Sequence, residues 1–395
     1  MSEAPLVCGE PVVRTILLEE GCRKECQRKY MFYLPKAACG PNNSVGSSTT
    51  EAVGRLPLVF TIHCLGCSMQ TFQFWSEVAE AYNFVWVNPE GLKHSFNAGG
   101  ESCCGYALEQ GIDDLGFLKG ILSQVTGEYP SLLSSNYVYA TGWSNGGYMV
   151  SYAAPLFRAI APISGYHLDS VKLEERMITH EKPVSLFLHH SQDDPMVQMT
   201  GCCTDSTMPR CCCGISQHLD QCTSVEAHVS VWATNFNHCG SKTKVSYSVQ
   251  DQVTCYTFEE CGQNVNTTYC IYQNKKHFNR PSFEQAFPMT QGTADFFARD
   301  ACSAPGGVWN GAQRTCACPS GASGTYCSER LLQEGKKERE NSISPAPILM
   351  FLGLALVLVG SYYLVTTLFR RFRKGSLKRY SKVSTSDVEL QQLEG

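Results

Sequence analysis

The chain has 395 residues, enough for one large catalytic domain with appendages and a complete hydrophobic core. Its net charge of -4 offers no basic field, so a nucleic-acid partner has no electrostatic support. The 22 cysteines exceed what a reduced cytosolic enzyme carries; they point to an oxidising compartment with disulfides and leave the connectivity open.

The chain opens on Met1, Ser2 and Glu3 with no basic segment followed by an apolar run, so it shows no recognisable signal peptide, and a processed or truncated start is expected. Residues 12–18 and 30–34 read as an antiparallel strand pair. Short β-rich runs then follow at 56–63, 84–87, 137–141, 159–163 and 184–189, interleaved with longer amphipathic segments at 69–82, 113–128 and 225–236. That alternation predicts an α/β class with βαβ units and a mostly parallel, doubly wound sheet. The sequons at Asn42 and Asn266 fit N-glycosylation outside the cytosol.

Phe296 and Phe297 mark the apolar face of a closing helix, after which the composition turns to Gly, Ser and Cys, so the domain is read as residues 1–299. In the next stretch, 300–328, Cys316, Cys318 and Cys327 with Gly321 and Gly324, and Cys302 upstream, resemble the second half of an epidermal-growth-factor-like module. Its four cysteines, where six are usual, read as a disulfide-stapled spacer. A charged stalk, 329–345, leads to an apolar segment, 346–369, long enough to cross a bilayer as one helix. Arg370, Arg371, Arg373, Lys374, Lys378 and Arg379 follow at once. The positive-inside rule therefore makes 370–395 a cytoplasmic tail and the rest extracellular or lumenal, in a single-pass membrane protein. A tail-anchored topology with a cytosolic domain would put both the cysteines and the basic cluster on the wrong side.

Gly142, Trp143, Ser144, Asn145 and Gly146 form GxSxG between an apolar strand and a helical segment, the setting in which a strained turn lifts a serine hydroxyl clear of a sheet. A hydroxyl becomes nucleophilic only when a positioned base takes its proton, and an acid must orient that base. In this setting the acid and then the histidine follow the serine. Asp193 and Asp194 come after the strand at 184–189 and before Pro195. Of the ten histidines only His218, His228, His238 and His277 lie later, and His277 is the one in a polar loop after a strand-like run. The oxyanion donors expected are the backbone amides of Asn145 and of Cys64 and Leu65 in the turn after the first central strand. Cys64 and Cys67 make a CxxC, read as a disulfide in preference to a redox or zinc pair.

Several blocks together resemble the secreted polyhydroxybutyrate depolymerase and feruloyl esterase family: residues 28–35 (RKYMFYLP), 63–68 (HCLGCS), 97–100 (NAGG) with Cys103 and Cys104, 111–118 (GIDDLGFL), 141–148 (TGWSNGGY), 190–197 (HSQDDPMV) and 232–239 (WATNFNHC). The resemblance implies the α/β-hydrolase fold, with Ser144 as nucleophile, Asp194, directly before Pro195, as acid, and His277 as base. It implies hydrolysis of carboxylic esters through an acyl-enzyme, on feruloyl or acetyl esters of polysaccharide or on a hydroxyalkanoate polyester, with no metal and no organic cofactor. The likeness departs where Cys64 and Cys67 replace small glycines and where Phe278 and Asn279 replace the usual Trp and Pro. Between Gly201 and Cys222 an insertion carrying Cys202, Cys203, Cys211, Cys212, Cys213 and Cys222 reads as a stapled lid more readily than as a zinc site. Two rivals remain at this point. One is a catalytically silent surface receptor, favoured by the cysteine module and by Tyr380, Ser381, Lys382 and Val383, which look like an endocytic sorting signal. The other is a peptidase. The oligomeric state is not legible.

Overall fold

Residue-by-residue alternation along the strands creates two apolar layers. Leu56, Leu58, Phe60 and Ile62 of β3 (Leu56–Ile62) enter one core, and Val59 enters the other. In β4 (Val85–Pro89) and β5 (Leu133–Trp143), Val85, Val87, Val138 and Ala140 join the first core, while Trp86, Tyr137 and Tyr139 join the second. Strands buried on both faces read as nearly continuous apolar runs, and each such side chain stabilises the fold by roughly 1.5–3 kcal/mol. The computed structural model describes residues 7–18, 25–39, 55–99, 103–167, 177, 182–201, 223–247, 252–278 and 289–328, all within the unit Met1–Leu332.

The remaining strands of the main sheet are β1 (Val12–Leu17), β2 (Gln27–Tyr33), β6 (Ala159–Ile163), β7 (Ser185–Ser191), β8 (Lys242–Tyr247), β9 (Val253–Phe258) and β10 (Thr267–Tyr272). The ten strands lie in the order β1-β2-β4-β3-β5-β6-β7-β10-β9-β8. The centre, from β4 to β10, is parallel. Both flanks are antiparallel. This is an α/β fold with a mixed sheet. The β1/β2 pair matches the expected one, whereas β8 and β9 extend the sheet beyond anything the apolar pattern indicated. Cys255–Cys270 ties β9 to β10, and Cys239–Cys261 closes the loops beside them.

Helices α2 (Asp114–Glu128), α3 (Asn145–Tyr152) and α4 (Val225–Val231) pack into the first core, and α1 (Trp75–Tyr82) and α5 (Met289–Ser303) into the second. The Asp113 carboxylate caps α2 by accepting from the Gly116 amide at 2.7 Å. Behind it, Arg28 and Asp114 form a buried ion pair of 2.7 Å, with the guanidinium over the Phe117 ring. The other Asp114 oxygen accepts from the Asn97 amide, fixing the loop that leads toward the site. The helix expected over 69–82 is instead a 3-10 turn, Met69–Phe72, followed by α1. The segment at 225–236 begins as α4 and ends in a π turn, Trp232–Phe236, whose Trp232 indole donates to the Val184 carbonyl at 2.8 Å.

The boundary expected after residue 299 falls inside α5, which continues to Ser303 and carries Cys302 into a disulfide with Cys316. Beyond it, β11 (Val308–Asn310) and β12 (Thr315–Ala317) form a hairpin, and Cys318–Cys327 closes the following turn. The hairpin completes the second core. Tyr326 is fully buried, its hydroxyl donates to the Tyr82 carbonyl at 2.6 Å, and Trp309 stacks on Tyr82 and Tyr326. The composition reads as a stapled spacer, whereas this stretch packs against the domain through Trp309 and Tyr326 and is tied to α5 by Cys302–Cys316. The sulfurs of Cys316, Cys318 and Cys327 lie within 4.8 Å of one another, yet each is in a disulfide, so none offers a thiolate. Among the described residues no helix is long and apolar enough to cross a membrane. The expected span at 346–369, the stalk, the tail, Asn42 and the cysteine insertion at 202–222 all lie outside them.

Candidate active site

Because the central strands are parallel, their C-terminal ends share one edge of the sheet. Four chain segments meet there: the turn after β3, Ser144 after β5, the loop after β7 and the loop after β10. Ser144 sits at φ 56°, between β5 and the first turn of α3. Side chains are intolerable on both sides of it. A Cβ at Gly146 would lie 1.9 Å from the Ile62 carbonyl oxygen, and one at Gly142 would lie 2.4 Å from that of Gly146. The glycines of GxSxG are thus demanded by the approach of β5 and α3 to β3.

The loops after β7 and β10 are neighbours because those strands pair in parallel, with Ser191 opposite Tyr272. The structure brings Ser144, Asp194 and His277 together. His277 Nε2 lies 2.8 Å from Ser144 Oγ, and His277 Nδ1 lies 2.9 Å and 3.0 Å from the two Asp194 oxygens. Asp194 is buried and also accepts from the Met196 and Val197 amides at 2.8 Å and 2.9 Å, so its charge is held in place. Burial pushes the neighbouring His190 imidazole down, against the opposing pull of Asp194. Ser144 is 6% exposed and the His277 side chain 20% exposed, so the hydroxyl and the imidazole are partly shielded from solvent.

The turn after β3 carries the expected oxyanion positions. Cys64 is buried and bonded to Cys67, Leu65 is 44% exposed, and Asn145 opens α3 directly after Ser144. Asn145 acts through its side chain as well. Its Oδ1 accepts from the Phe96 amide at 2.7 Å, and its Nδ2 donates to the Phe96 carbonyl at 2.9 Å. His63 anchors the same turn, a role the pattern did not reveal: its Nδ1 donates to the Cys64 carbonyl at 2.8 Å, and its Nε2 accepts from the Gly91 amide at 2.9 Å. Those partners require a neutral ring, and burial accordingly lowers its pKa to about 4. Cys103 and Cys104 are bonded to each other and buried.

Three further groups touch the His277 loop. The Trp143 indole N–H donates to the His277 carbonyl at 3.0 Å. Asp193 Oδ1 accepts from the Lys276 amide at 3.1 Å and from Ser191 Oγ at 2.7 Å, and Ser191 Oγ accepts from the Lys275 amide at 3.2 Å. Desolvation raises the Asp193 carboxyl, but hydrogen bonds from Ser191 and the loop amides outweigh it and hold it below its ordinary range. Asn266, of the second sequon, is exposed just before β10. Of the other late histidines, His228 is buried in α4 and His238 follows the π turn, while His218 lies outside the described residues.

No family model and no curated protein matches the chain. Solved structures with similar folds include an acetyl xylan esterase from Aspergillus awamori, at 10% identity over 72% of this chain and 98% of its own, with a TM-score of 0.44. A thermostable esterase is similar at 19% identity over 49% of each chain, with a TM-score of 0.32. A ferulic acid esterase is similar at 12% identity over 47% of this chain and 80% of its own, with a TM-score of 0.33. Likenesses this distant carry no assignment of reaction or residues, so function has to be argued from the arrangement of groups in this chain.

Proposed function

We propose that this protein is a serine esterase working through an acyl-enzyme. One observation carries the reading: a serine hydroxyl at a strand-to-helix turn, 2.8 Å from an imidazole whose other nitrogen is 2.9 Å from a buried carboxylate. His277 Nε2 accepts the Ser144 proton as Oγ attacks the ester carbonyl. Asp194 holds Nδ1 protonated and stabilises the imidazolium. The Asn145 amide, at the start of α3, and an amide of the Cys64–Leu65 turn stabilise the oxyanion. The imidazolium then protonates the departing alkoxide, and a water deprotonated by His277 releases the acid.

The sequence blocks quoted above support esters of the feruloyl or acetyl polysaccharide kind, or a hydroxyalkanoate polyester, as substrate. The disulfides favour an oxidising compartment, and the apolar segment at 346–369, followed by its basic cluster, favours a single-pass anchor with the enzyme on the extracytosolic side. The full-length protein should hydrolyse p-nitrophenyl acetate and methyl ferulate. Ser144→Ala should reduce turnover on the order of 10⁶-fold with an unchanged melting temperature. Turnover that survives Ser144→Ala refutes the assignment, and a folded wild type silent on every ester favours the receptor reading.

A further inference from the structure

His277 sits on a backbone that is costly to form by itself. Asn274, Lys276 and Phe278 have φ of 58°, 50° and 51°, in the left-handed region that non-glycine residues avoid. Such conformations persist only where surrounding contacts over-determine them. Contacts here come from side chains that the triad reading leaves unused. Asp193 receives the Lys276 amide, inside the left-handed run, and Trp143 donates to the His277 carbonyl. Ser191 links the first of these to the Lys275 amide through its own hydroxyl.

Resting on the esterase reading, we propose that Asp193 and Trp143 are positioning residues, which hold the backbone at the Lys276 amide and the His277 carbonyl so that the His277 ring keeps one orientation between Asp194 and Ser144. The doubled aspartate then divides its labour: Asp194 acts on the imidazole, and Asp193 on the peptide that carries it. The variable position of GxSxG acquires a task as well, since Trp143 couples the nucleophile's own strand to the base. Asp193 is exposed, so truncating it leaves no cavity, and its effect is expected on the loop, not on global stability.

The test uses the full-length protein with Asp193→Ala, Asp193→Asn, Trp143→Phe and Ser144→Ala. For p-nitrophenyl acetate, Asp193→Ala should lower kcat on the order of 10-fold to 100-fold with KM within about twofold, the pattern of a misoriented base. Asp193→Asn keeps an oxygen acceptor for the Lys276 amide and should recover most of the loss. Trp143→Phe keeps an aromatic ring, though a smaller one, and removes the donor, and it should combine with Asp193→Ala less than additively, because both act on one loop. Independently of turnover, the Nδ1–H proton resonance of His277 should broaden in Asp193→Ala and sharpen again in Asp193→Asn. An unchanged kcat and an unchanged resonance in Asp193→Ala overturn the proposal, as does equal impairment by the Ala and Asn variants. Absence of Ser144-dependent turnover in the wild type would instead overturn the esterase reading, and the resonance would still decide the role of Asp193.

Discussion

The two halves of the site are held by different kinds of force. On the serine side, Ser144 is set by backbone packed against backbone, with no room for a methyl group at Gly142 or Gly146, and the facing turn is closed by the Cys64–Cys67 disulfide, with hydrogen bonds of His63 and Asn145 added to these constraints. On the base side, the described part of the His277 loop is tied by hydrogen bonds, from Asp194, Asp193, Ser191 and Trp143. Steric and covalent constraints act as all-or-nothing requirements. Hydrogen bonds can be removed one at a time, so the base side is where function can be graded without destroying the fold.

The sharpest way to break this contrast after removal of Ser144 itself is Asp194→Asn. It preserves shape on the base side but takes away the charge that fixes the tautomer, and turnover should fall on the order of 10⁴-fold while the melting temperature changes little. A loss of only a few-fold would mean that orientation does not depend on this carboxylate. Acid tests the buried histidines, among them His63 at the turn facing Ser144. Burial lowers His63 to about 4, and His189 and His228 to about 3, from an ordinary 6.5. The unfolded chain therefore binds these protons first, and the stability that their neutral forms contribute is fully present above pH 6.5 and lost as pH falls toward 3. Urea unfolding followed from neutral pH downward should show midpoints falling through this window. Because His63 must be neutral to accept the Gly91 amide, the turn after β3 should loosen near its value of about 4. A flat midpoint over that range would show that these rings are not buried as described.

The smallest effect is expected far from both halves. Tyr326→Phe removes the donor to the Tyr82 carbonyl at the opposite end of the domain, costing about 1–2 kcal/mol of stability. Ester turnover should be unaffected. A change in turnover would mean that the β11–β12 hairpin communicates with the site.

Legibility along the chain followed how local each cause is. GxSxG is readable because its steric demand lies within five consecutive residues, and β3 to β7 are readable because a doubly buried strand needs an unbroken apolar run. β8 and β9 escaped because an antiparallel edge tolerates the polar residues of KTKVSY and VTCYTF. The hairpin at 308–317 was set apart because its few aromatic anchors are outnumbered by Gly, Ser and Cys.

The amino-acid order alone determined the parallel core, the strained serine and a short set of acids and histidines, since each reflects burial or turn chemistry within a few neighbouring residues. The residues by themselves left Asp193 and Asp194 open and the resemblance implied Asp194; in the structure it is the Asp194 carboxylate that faces the His277 ring, because β7 and β10 pair in parallel. Tertiary structure also revealed the hydrogen bonds of Trp143, Ser191 and His63, because contacts between residues distant in the chain, such as Trp143 to His277, leave no periodicity to be read.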